Sequence, residues 1–104
     1  MFARTVRIQL QPNSAAEFGV LVENEVLPVL RKQQGFRDEL TFAPADGGKE
    51  ALAISLWDRK EDAEAYSRAT YPQVLKTLAK VVEGTPQVLT SEVSSSTCHK
   101  IAAR

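Results

Sequence analysis

An α+β fold, one antiparallel four-stranded sheet with helices on one face, is predicted by three observations. Apolar residues recur at every second position in four stretches and at three- and four-residue spacing in the stretches between them, the periods of strand and helix. The order is strand, helix, strand, strand, helix pair, strand, with helices on the two long connections and a hairpin between the second and third strands, which is the ferredoxin-like arrangement. The third strand is apolar on both faces, so the face away from the helices needs its own cover. In a chain of 104 residues a second copy supplies that cover more readily than another layer, and two such sheets packed face to face make a dimeric α+β barrel.

The first strand is RTVRIQLQ, residues 4 to 11, with Val6, Ile8 and Leu10 on one face and Arg7, Gln9 and Gln11 on the other. Pro12 stops it, and Asn13 or Ser14 can cap the helix that follows, with Glu17 completing a capping-box spacing after Ser14. From Ala15 to about Gln34, Phe18, Leu21, Val22, Val26, Val29 and Leu30 form an apolar stripe. Pro28 lies within it and predicts a bend or an offset last turn, and Gly35 closes the helix. Residues 36 to 43 alternate again, Phe36, Asp38, Leu40 and Phe42 against Arg37, Glu39 and Thr41, with Asp38 marking a bulge, an edge or a cavity; PADGG is the hairpin turn. EALAISLW, residues 50 to 57, is the strand with two apolar faces. Asp58 and Glu61 form a second capping box. The helix they open runs through Tyr66 and breaks near Ala69 or Thr70; Pro72 starts another that ends at Gly84. QVLTSEVS, residues 87 to 94, is the last strand, which sets one domain over 1–94 and an extension over 95–104.

Composition narrows the function. Thirteen basic residues balance thirteen acidic ones with no basic tract, which argues against nucleic acid as a partner. No run approaches the ~20 apolar residues of a bilayer span, and MFARTVRIQLQP alternates where a signal peptide would be continuously apolar, so a cytoplasmic protein that is not a membrane partner is expected. The single Cys98 excludes an intrachain disulfide and a thiolate zinc cage, and Cys98 with His99 is too few ligands for a metal. No glycine-rich phosphate loop is present, and no cofactor is implied.

RTVRIQLQP, VLRKQQGFRDELTF and above all ALAISLWDRKEDAEAYSRATYPQV resemble the antibiotic biosynthesis monooxygenase-like family of small dimeric α+β barrel proteins, over roughly residues 4 to 93. The resemblance implies a homodimer joined through its sheet faces and a cleft between a sheet face and the helices of the same subunit. It aligns Trp57 with a frequent family tryptophan, whose size and strand-end position point to side-chain packing more than to substrate contact. In haem-degrading members an asparagine, a helix aromatic and an iron-binding histidine are used; the matching positions hold Val6, Tyr66 and Lys76, so haem chemistry is not implied.

What remains is cofactor-independent oxygenation of an aromatic or quinone-like small molecule, in which an electron-rich substrate anion reduces dioxygen itself while the protein deprotonates or holds it and excludes water. The catalytic candidates are Tyr66, Asp38 and Arg7, and the substrate-binding candidates are Gln9, Trp57 and Tyr71. A phenol such as Tyr66, with its ordinary pKa near 10, serves as donor or orienting group. This activity calls for a cavity of at least about 300 Å³ with converging polar groups. A non-catalytic small-molecule-binding or structural dimer, and an auxiliary subunit of a larger oxidoreductase with an apolar patch reaching the tail, are the alternatives.

Overall fold

A computed structural model describes residues 1–101; residues 102–104, the end of the expected extension, lie outside the described residues. Strand β1 (Phe2–Leu10) is followed by a helix in three pieces: α1 (Ala15–Leu21), a π-helical turn (Val22–Val26) and α2 (Leu27–Arg31). Strands β2 (Phe36–Phe42) and β3 (Glu50–Trp57), helices α3 (Lys60–Ala69) and α4 (Tyr71–Leu78), and strand β4 (Val82–Glu92) complete the chain. The sheet order is β2-β3-β1-β4 and every neighbouring pair is antiparallel. This is the predicted α+β ferredoxin-like fold.

Register decides what each face carries. Phe2, Arg4, Val6 and Ile8 of β1 stand opposite Trp57, Ser55, Ala53 and Ala51 of β3, and this face is covered by the helices. Thr5 and Arg7 stand opposite Ile54 and Leu52 on the other face, which no helix covers. There Leu40, Phe42 and Leu89 remain 56%, 49% and 65% exposed, so the doubly apolar β3 leaves one apolar face open, as its sequence implies.

The structure meets the expectation of an offset last turn at Pro28 and departs from the sequence reading at the capping boxes and at Gly84, each with a local cause. Pro28 has no amide hydrogen and its ring crowds the carbonyl four residues back. The chain answers with the π-helical turn just before it, which leaves Pro28 in the first turn of α2, where the missing donor is harmless. Neither capping box forms. The Ser14 hydroxyl donates to the Pro12 carbonyl, and Asp58 pairs with Arg37 across the strand-to-helix corner, leaving Arg59 to open α3. Gly84 does not end a helix: α4 stops at Leu78 and β4 begins at Val82, with Gly84, at φ +71°, inside the strand. Of the alternatives at Asp38, a bulge is what forms: the register shifts between Phe36 and Asp38, and the pattern of β2 changes face there.

Gly35, by contrast, stands where the sequence put it, at φ +78°, and a Cβ at this position would meet the Asp62 carboxylate at 2.0 Å. Its carbonyl accepts from the Asp58 amide at 2.8 Å, tying the end of the first helical layer to the start of α3. The tail also has a place. Val93 donates to the Met1 carbonyl at 2.9 Å, and the chain then crosses so that the His99 ring pairs with Asp38 on β2. No helix among the described residues is long and apolar enough to cross a membrane.

Candidate functional site

A narrow cavity lies between the helices and the covered face of the sheet. Its polar rim comes from every layer: Arg4 of β1, Glu39 and Thr41 of β2, Ser55 of β3, Tyr66 of α3 and Tyr71 at the start of α4. Aliphatic side chains, among them Val22 and Val26 of the π-helical turn, Leu78 and Pro86, close the rest.

Arg4 is there because alternation leaves no choice. It lies two residues before Val6 on the same face, and it is 3% exposed. Its Cζ lies 3.9 Å from the centroid of the Tyr71 ring and 5.4 Å from that of Tyr66, so two aromatic faces hold the cation in place of carboxylates. Neither its Nη2 nor the Tyr71 hydroxyl has a well-formed hydrogen bond among the described residues, although the guanidinium lies near enough to the hydroxyl to pull its pKa down against burial. A buried polar group left in this state costs about 1–3 kcal/mol. Two of them beside one cavity are donors that a ligand oxygen would satisfy.

Glu39 is delivered by the β2 bulge, which brings it opposite Ser55 on the covered face. Burial pushes its carboxyl up to about 7; the Thr41 hydroxyl, donating at 3.0 Å, and the Arg4 charge pull the other way and lose. Burial likewise raises the Tyr66 phenol to about 12 against the pull of Arg4, and raises Tyr71 as well. At neutral pH the site therefore presents a fixed cation, two protonated phenols and a carboxyl poised between its charge states. That combination suits removal of a proton from an acidic hydroxyl and retention of the resulting oxyanion.

Of the residues singled out from sequence, Tyr66 and Tyr71 line the cavity. Trp57, fully buried, stands behind it: its ring lies 5.2 Å from that of Tyr66 and 5.6 Å from that of Phe36, and its Nε1 donates to Ser55 Oγ at 2.9 Å. Arg7 and Gln9 are on the opposite face, where both donate to Glu50 Oε1, at 2.8 Å and 3.1 Å. Asp38 is also turned away from the cavity, against His99. In each case a neighbour with the same chemistry occupies the cavity instead, Arg4 for Arg7 and Glu39 for Asp38. Arg4 was within reach of the sequence, since it continues the Val6, Ile8, Leu10 face. Glu39 was missed because the sequence reading took Asp38 for the residue at the cavity, whereas beyond the bulge it is Glu39 that stands opposite Ser55 on the covered face.

The room available departs from expectation. The cavity measures about 50 Å³, well short of the ~300 Å³ at which ligand pockets begin, because the helices sit close on the sheet. No group of three or more His, Cys, Asp or Glu side chains among the described residues is placed to hold a metal ion.

No family model matches the sequence, and no curated protein matches it. Solved structures do share the fold. A Bordetella bronchiseptica protein described as an antibiotic biosynthesis monooxygenase superposes with a TM-score of 0.76 at 14% identity, covering 90% of this chain and 97% of that one. SnoaB, a cofactor-independent oxygenase from Streptomyces nogalater, gives 0.74 at 13% identity over 94% and 97% of the two chains. The ActVA-Orf6 monooxygenase of Streptomyces coelicolor, solved with nanaomycin D, gives 0.76 at 14% identity over 91% and 88%. The monooxygenase-like fold is thus shared nearly end to end, and at such identities the likeness speaks for the fold alone.

Proposed function

We propose that this protein is a cofactor-independent monooxygenase-like protein acting on an aromatic or quinone-like small molecule, which it ionises at a phenolic hydroxyl and oxidises at an activated ring CH₂. The observation that carries the proposal is the pair of unpartnered buried donors, Arg4 Nη2 and the Tyr71 hydroxyl, beside a Glu39 carboxyl raised to about 7. Glu39 takes the proton of the ligand hydroxyl, and Arg4 and Tyr71 hold the phenolate oxygen. The electron-rich ring passes electrons to dioxygen, a carbon–oxygen bond forms at an activated ring CH₂, and the resulting hydroperoxide loses water to leave a carbonyl. The balance is R₂CH₂ + O₂ → R₂C=O + H₂O, with the substrate as the only reductant. Names carried by structural neighbours, an oxygenase without cofactor and a monooxygenase with an aromatic ligand, support the same class.

The test is oxygen uptake with hydroxylated anthrones, which carry the required ring CH₂, under isotopically labelled dioxygen. Uptake above the buffer rate, with one labelled oxygen in the product carbonyl, is the expected outcome. The narrowness of the cavity favours a second reading, a non-catalytic binder of small phenols. Saturable binding of the same compounds without added oxygen uptake would establish it in place of the first.

The proposal includes a homodimer through the open sheet faces, supported by Leu40 and Phe42 on β2 and Leu89 on β4, large apolar side chains exposed on that face at both edges of the sheet. Sedimentation is expected to give a dimer for the intact chain and a monomer for Leu40→Glu, because a charge buried unpaired in an apolar interface costs several kcal/mol. A wild-type monomer at micromolar concentration would overturn it.

A further inference from the structure

Resting on the function proposed above, we propose that the ligand reaches the cavity between Leu75 of α4 and Pro86 of β4, and that the part of it too large for the cavity stays in the apolar groove outside. Leu75 and Pro86 are the two residues common to the cavity and to an outer groove of about 220 Å³, whose other walls are Ala79, Val82, Gly84 and Thr85. They are thus a partition one side chain thick.

The partition also lies at a break in the sheet register. β1 and β4 pair at Arg7↔Gln87 and next at Gln9↔Glu83, so Gly84, Thr85 and Pro86 stand opposite Ile8 alone and none of them enters the register. Gly84 holds φ +71°, and Pro86 has no amide hydrogen to lose. This stretch can move outward without breaking a ladder pair, which is how a cavity of about 50 Å³ can admit a ring. A competing route leads past Glu39, which also borders a polar cleft with Leu27, Arg31 and Arg37. Opening there would displace the base itself and disturb the Arg37–Asp58 pair.

The route sets the ligand's orientation. Ser55 and Glu39 stand level with Arg4 along the sheet, whereas Pro86 is level with Ile8, four residues further along β1, or about 13 Å at strand spacing. The acidic hydroxyl lies at the Arg4 end and the far end of the molecule leaves between Leu75 and Pro86. The ligand is therefore an elongated phenol, of two or more fused rings or with an alkyl substituent, uncharged at the end remote from its hydroxyl.

Two measurements separate the route from the site's chemistry. Stopped-flow binding of 2-naphthol, followed by emission of the only tryptophan, Trp57, is expected to slow at least about tenfold in Leu75→Phe and to quicken in Leu75→Ala, in association and dissociation alike. Quenching of Trp57 by acrylamide needs no ligand and is expected to rise several-fold in Leu75→Ala, since the indole lies directly behind the cavity-lining Tyr66. Rates and quenching unchanged in both Leu75 variants, or changed only by Leu27→Ala, overturn the route. The site's chemistry fails separately, if Arg4→Met binds 2-naphthol as tightly as the wild type.

Discussion

Glu39→Gln is expected to raise stability at pH 8 by as much as about 3 kcal/mol and to abolish the wild type's loss of stability between about pH 4.5 and 7. The carboxyl moves from an ordinary value of 4.5 in the unfolded chain to about 7 in the fold, so the fold disfavours the charged form. Below 4.5 the group is protonated in both states and exerts no penalty. As the pH climbs to 7 the unfolded chain releases the proton and the folded chain holds it, and stability falls throughout that interval. Above 7 both states are ionised and the loss is constant. Glutamine keeps the hydrogen bond from Thr41 and has no proton to lose, so the two proteins are expected to melt together at pH 4 and to diverge by roughly 10 °C or more at pH 8. Thermal melts at pH 4, 6 and 8 decide the matter: parallel profiles would mean that burial does not hold Glu39 protonated. Under the proposed chemistry the stabilised variant is also the inactive one, because an amide cannot accept the ligand's proton.

The same residue marks where the sequence stops being legible. Element order, sheet topology, the helix break at Thr70 and the two apolar faces of β3 all follow from periodicity and turn chemistry, since each is a pattern repeated over several residues. Tyr66 was reached through the family resemblance, at the position of the helix aromatic, and Tyr71 as the residue just before Pro72. Arg7, Gln9 and Asp38 were misplaced for two distinct reasons. Arg7 and Gln9 follow the wet face of β1, where a polar side chain on a half-buried strand belongs, whereas Arg4 sits on the apolar face as an exception to the pattern. Asp38 was read as a bulge, an edge or a cavity residue, and the bulge is what forms: one extra residue at Arg37 leaves Phe36 on the covered face and turns Asp38 to the open one. The start of β4 at Val82 has the same character, because Gly84 and Pro86 look like the end of a helix and a loop when they are a bulge within a strand.

Arg4 carries the second large effect, and its sign differs between stability and function. Arg4→Met is expected to leave the melting temperature unchanged or higher while reducing kcat/KM for the phenolic substrate by about a hundredfold or more, close to 3 kcal/mol of transition-state stabilisation. Methionine fills a similar volume against the Tyr66 and Tyr71 rings and keeps favourable sulfur contact with them, whereas the guanidinium it replaces is buried with one nitrogen unpartnered. Lysine is the informative companion. It restores the charge but not the planar fork, so Arg4→Lys is expected to recover part of the binding of the oxyanion and little of its orientation. The pH profile distinguishes this role from a merely structural one. Removing the cation withdraws the influence that lowers the Glu39 and Tyr66 values, so the pH at which half the activity appears is expected to rise in Arg4→Met and to return toward the wild-type value in Arg4→Lys. A large loss of melting temperature in Arg4→Met, with its residual activity following the wild-type profile, would make Arg4 a structural cation. A shifted profile on an intact fold would mean that the protein tolerates a buried, underpaired charge for the sake of the anion it holds.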